Sequence, residues 1–97
     1  MAKKETVDKI KTDLRISHTV LDDDVSDNID ACLVDLEICG IVNPSVTDPI
    51  ILLAIKTWCR SAYTDDTGKA EAYMERYNNI KAMLMMASGY GGGATDG

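Results

Sequence analysis

Asp22, Asp24 and Ser26 alternate at the spacing with which a loop offers oxygen ligands to calcium, inside a wider run of acids that continues through Asp23, Asp27, Asp30 and Asp35. An EF-hand loop needs Gly at its sixth position for the sharp turn and Glu at its twelfth for bidentate ligation. The chain has Asp27 and Leu33 there, so the run is read as the start of a helix with a solvated acidic face. Cys32 and Cys39 lie seven apart on one helix face with no C-x-x-C pair and no histidine at metal spacing; they and Cys59 read as core or interface residues. His18 is a general base in principle, but no Ser or Cys nucleophile stands in a recognisable motif. Gly68-Lys69 lacks the flanking residues of a phosphate loop, and the glycines at 89–93 follow a helix instead of joining strand to helix. These residues compose no catalytic, metal or cofactor set, and the chain is expected not to be an enzyme.

The elements that must carry these residues are limited by size. The chain has 97 residues and 10.6 kDa, with 45% hydrophobic and 27% charged residues, which suits one globular domain with a thin core and excludes a disordered chain. Its longest apolar stretch, residues 49–55, falls short of a membrane span, and Lys3-Lys4 leads into charge instead of a signal-peptide core. An odd count of three cysteines without an export signal implies reduced thiols and a cytosolic setting. Net charge is −6, but residues 1–15 are net basic, whereas residues 16–55 hold eight acids and no Lys or Arg. A middle segment that repels phosphate excludes a conventional nucleic-acid binder.

Apolar spacing predicts an all-α fold, a compact bundle of four helices. Val7, Ile10 and Leu14 mark an amphipathic helix over residues 6–15, with Thr6 as cap. Asp22-Asp23-Asp24 supply an N-cap and first-turn anions for a second helix whose apolar face is Val25, Ile29, Cys32, Leu33 and Leu36, ended by Gly40. Asp48-Pro49 is a cap followed by proline at the first helical position. The third helix is apolar almost all round from Ile50 to Ile55 and on to Trp58, Cys59 and Ala62, as befits a central element and not a DNA-recognition helix. A long fourth helix over residues 69–87 sets Ala70, Tyr73, Met74, Tyr77, Ile80 and Leu84 inward, with Glu71, Glu75, Arg76 and Lys81 outward. Residues 1–88 are expected to form the single domain, and residues 89–97 a flexible glycine-rich tail.

The order of these features, over roughly residues 5–86, resembles a family. Ile10-Lys11, then Leu14-Arg15-Ile16-Ser17-His18, the acidic helix start at Asp22, the break at Gly40, and Pro49-Ile50-Ile51-Leu52-Leu53-Ala54-Ile55 leading to Trp58 look like the small head-tail connector (adaptor) proteins of tailed bacteriophages and prophages. The chain departs from that pattern at Cys59, where the family commonly has an aromatic residue. The resemblance implies a structural subunit of the virion's head-tail interface, assembled in the bacterial host cytoplasm. Copies would form a homo-oligomeric ring under the portal protein, pass DNA through the channel without specific binding, and receive a downstream connector, stopper or tail protein. No cofactor, membrane contact or catalysis is implied. On this view Asp22, Asp23, Asp24, Asp27, Asp30 and Asp35 are candidate channel-facing acids. Leu84, Met85, Met86 and Tyr90 are candidate portal or subunit contacts. The competing reading is an acidic helical regulatory or antitoxin-like module that binds one protein partner.

Overall fold

Asp48 begins the element on which the others pack. Its carboxylate accepts from the backbone N–H groups of Ile50, at 2.8 Å, and Ile51, at 3.4 Å, ahead of a proline whose missing N–H costs nothing at the first helical position. The computed structural model describes residues 2–87, which form α1 (Lys4–Leu14), α2 (Asp22–Ile38), α3 (Pro49–Tyr63) and α4 (Thr67–Met86). The fold is an all-α four-helix bundle in which α3 packs against each of the other three helices. Pairings between side chains give the directions. Asp13 meets Arg60, so α1 runs with α3; Asp24 and Asn28 meet Tyr63 and Trp58, so α2 runs against it. Tyr77 and Lys81 both meet Asp35, on the side of α4 that faces α2.

One core joins all four helices, built from Val7, Ile10, Val25, Ile29, Cys32, Leu36, Ile51, Ala54, Ile55, Cys59, Tyr77, Ile80 and Leu84, with Ile41 added from the loop. The ring of Trp58 meets Tyr77 edge-on at 5.2 Å, an arrangement that suits the quadrupoles of both. Thr57, buried in the central helix, satisfies its hydroxyl on the Leu53 carbonyl one turn back, at 2.8 Å.

Two helices end in the same way. Gly40 takes φ +97°, its N–H bonds the Glu37 carbonyl and that of Ile41 the Leu36 carbonyl, which closes α2 while Ile41 folds back into the core. Arg15 does the same for α1 at φ 61°, with the Ile16 N–H on the Lys11 carbonyl.

Several expectations are corrected. Thr6 does not cap α1: it is buried within the helix, and Lys3 holds the cap position without a side-chain bond. The aspartates of α2 fill its first turn, and Leu21 occupies the cap. α4 starts two residues earlier than predicted because the Asp66 carboxylate accepts from the Lys69 N–H, at 3.0 Å. α3 is not buried all round, since Leu53 lies on a side that no helix covers and Ala62, near its C-terminal end, is also exposed.

Replacing Asp48 removes both bonds at the start of the central helix. Asp48→Ala should lower the unfolding free energy by about 1 kcal/mol, read as a shift in the urea midpoint at unchanged slope.

Candidate functional site: an acid-rich helix and an apolar bundle end

α2 carries Asp22, Asp23, Asp24, Asp27, Asp30, Asp35 and Glu37 and not one Lys or Arg. Its buried stripe is Val25, Ile29, Cys32 and Leu36, and a helix turns 100° per residue, so the acids spread around the rest of the circumference. They do not form one face. Asp22 and Asp35 flank the stripe and are half-buried, and each takes a cation from another helix. The Asp22 carboxylate lies 2.7 Å from Lys11 Nζ of α1, itself 7% exposed. Asp35 accepts from Tyr77 Oη at 2.7 Å and Lys81 Nζ at 3.1 Å, both of α4. Burial works against the Asp35 carboxylate, but the Tyr77 and Lys81 hydrogen bonds and the charge of Lys81 outweigh it and hold the group below the ordinary carboxylate range.

Asp24 anchors a polar chain between α2 and α3. It accepts from the Tyr63 hydroxyl; Asn28 Nδ2 donates to Tyr63 at 3.3 Å, and Trp58 Nε1 donates to Asn28 Oδ1 at 3.4 Å. Asp23 and Asp27 are exposed, and Asp30 is half-buried beside Lys3, Leu33 and Pro44. The six candidate acids therefore divide by role. Asp22, Asp24 and Asp35 tie α2 to its neighbours, Asp23 and Asp27 face solvent, and Asp30 sits half-buried against the segment around Pro44.

The partners Lys11, Tyr63, Tyr77 and Lys81 escaped the sequence reading, which set Lys81 on the outer face of α4. A signal was present: a helix of seven acids with no cation has to borrow them from elsewhere, and Lys11 and Lys81 adjoin the apolar positions Ile10 and Ile80.

The apolar end also differs from expectation. Leu84 is 1% exposed and sits in the core, which corrects its assignment to a contact surface; its place is taken by Met83 beside Met85 and Met86, of which Met86 is 88% exposed. Tyr90 and the glycine-rich segment 89–97 lie outside the described residues. Cys32 meets Tyr77 at the same level as Asp35, and Cys39 meets Lys81 one turn on, so α2 and α4 run side by side in one direction. Their C-terminal ends share one end of the bundle, and there Ile38 and Val42 add to the exposed methionines. Burial pushes the thiols of Cys32 and Cys59 up to about 12, whereas Cys39 is half-exposed.

A cleft of about 430 Å³ opens between the C-terminal ends of α1 and α3 and the start of α4, with Asp13, Arg60, Tyr63, Lys69 and Tyr73 on its walls. Arg60 donates to both Asp13 oxygens, at 2.8 and 2.6 Å, a fork that saturates the two charges on each other. His18 is exposed on the loop before α2 and does not line this cleft. Among the described residues no group of three or more His, Cys, Asp or Glu side chains is placed to hold a metal ion, and no helix is long and apolar enough to cross a membrane.

Comparison of the chain with protein-family models, with curated proteins and with solved structures found no match.

Two outcomes follow from this geometry. A carboxyl held low in the folded state stabilises it above the unfolded value and loses that contribution as pH falls through the folded one. Asp35→Asn should therefore be less stable than the wild type at neutral pH, with the difference shrinking in acid; a constant gap in denaturation curves across that range would contradict it. Thiol labelling under native conditions should modify Cys39 quickly, and Cys32 and Cys59 only at the rate of opening.

Proposed function

We propose that this chain is a structural head-tail connector (adaptor) subunit of a tailed bacteriophage or prophage. Copies assemble as a homo-oligomeric ring beneath the portal protein, extend the DNA channel and receive the next stopper or tail component. The work takes place at the head-tail interface of the virion and, during assembly, in the host cytoplasm.

The observation that carries this reading is the surface left over once the core is closed. Ile38, Val42, Met83, Met85 and Met86 remain exposed around one end of a bundle of this size, and large apolar side chains left outside a closed core suit a protein contact. Methionine, flexible and polarizable, adapts to such contacts. That end adjoins a helix with seven acids and no cation, a poor surface for retaining nucleic acid and a suitable one for letting it slide past. The order of sequence features shared with connector proteins points the same way.

Solvent exposure supports only some of the acids as channel candidates. Asp23, facing solvent at the start of α2, is the lumen candidate; Asp22, Asp24 and Asp35 are occupied by Lys11, Tyr63, Tyr77 and Lys81. The contact candidates become Met83, Met85 and Met86.

The deciding measurement is absolute mass by light scattering over a concentration series, with the chain alone and mixed with the portal protein encoded in the same genome. A large closed assembly on the portal is the expected result. A monomer or dimer that ignores the portal would overturn the connector reading in favour of an acidic regulatory or antitoxin-like module.

A further inference from the structure

The bundle has two unlike sides. On α2, Asp27, Ala31, Val34 and Ile38 follow one another at helical spacing along the solvent side, the last two 53% and 78% exposed. Asp23 and Glu37, both exposed, flank this stripe, and α2 supplies no cation to offset them.

The other side is formed by α3 and α4. Trp58 reaches Asn28 of α2, so Lys56, two residues away, turns about 160° from α2. Leu53 lies one turn before Lys56 on that uncovered side and is 36% exposed. Lys56 shares a groove with Asp8 and Lys9 of α1. Along α4, Lys69, Arg76 and Met83 recur every seven residues and so form one exposed stripe. It runs down the flank away from Lys81 and Asp35, and Lys69 lines the cleft beside α1 and α3.

One side is thus apolar with acids, and the opposite side is apolar with an excess of cations. We infer that the α2 side of one copy docks on the α3–α4 side of the next, with Val34 and Ile38 against Leu53 and Met83, and with Asp27 and Glu37 facing Lys56, Lys69 and Arg76. A two-fold pairing of α2 with itself would set carboxylates against carboxylates, which is unfavourable. Two different, non-overlapping sides give a head-to-tail contact, which closes into a ring or runs on as a filament according to the rotation between neighbours. The inference rests on the connector reading for ring closure and names the surfaces that make the ring.

The test blocks one side at a time with exposed residues outside the core. Ile38→Asp blocks the α2 side, Met83→Asp the α3–α4 side, and Asp27→Lys with Glu37→Lys reverses the charge of the first. Circular dichroism checks that each variant keeps the wild-type helix content. By sedimentation, the wild type should grow past the dimer as concentration rises to the solubility limit. Each blocked variant alone should stay a monomer, and an equal mixture of Ile38→Asp and Met83→Asp should stop at twice the monomer mass, because each retains one good side. The charge-reversed chain should lose self-association and regain it when mixed with a Lys69→Glu, Arg76→Glu chain.

A wild type that stays monomeric to the solubility limit overturns the inference, as does a mixture that remains monomeric or blocked variants that associate like the wild type. Portal binding separates this from the connector reading. Blocked variants that still join a portal-bound assembly normally overturn the contact and leave the connector standing. Complementing variants on a chain that ignores the portal leave the contact standing without the connector.

Discussion

α2 must bury one face against three helices while carrying seven carboxylates and no cation of its own, and the architecture around it follows from that constraint. Carboxylates beside a dry core are expensive unless paired. Lys11 meets Asp22 at the start of the helix, and Lys81 meets Asp35 towards its end. These contacts set the position of α1 along α2 and the register of α4 beside it, so charges borrowed from the two outer helices clamp the acidic one from both ends. Tyr77 completes the second clamp. Its hydroxyl bonds Asp35 while its ring, 1% exposed, lies under the Lys81 ammonium and against the edge of Trp58.

The central helix has the opposite problem. α3 is apolar over most of its circumference, and three neighbours are too few to cover it, because α1, α2 and α4 leave one side open. In a chain of this length the surface is large relative to the core, and some apolar side chains must stay outside. What is informative is their location: Val34 and Ile38 on α2 and Leu53 and Met83 on the other side, each set beside charges of one dominant sign. Scattered apolar residues would need no partner. Two opposed patches with complementary borders suit association between copies.

The polar interior bears on chemistry as well as stability. Arg60 and Asp13 occupy each other in the cleft beside Tyr63 and Tyr73, Asp24 is held by Tyr63, and Asp35 by Tyr77 and Lys81. Each of these groups is committed to joining helices. The two buried thiols, pushed up by desolvation, are poor nucleophiles at neutral pH.

The number of helices, the Asp48-Pro49 start of α3, the Gly40 end of α2 and nearly all of the core were legible along the chain, because these follow from local rules: caps, positive φ at glycine, and apolar residues at helical spacing. Thr6 and Lys81 were misread by the same local rules, since a helical wheel records which side of a helix a residue occupies but not what lies opposite. The packing of the helices was needed to show that Lys11 and Lys81 reach across to Asp22 and Asp35, that Leu84 is fully covered and so not free for a partner, and that Leu53 falls on the one side of α3 that no helix covers. Pairing between residues 11 and 46 positions apart in the chain depends on how helices cross, and periodicity along one helix carries no trace of it.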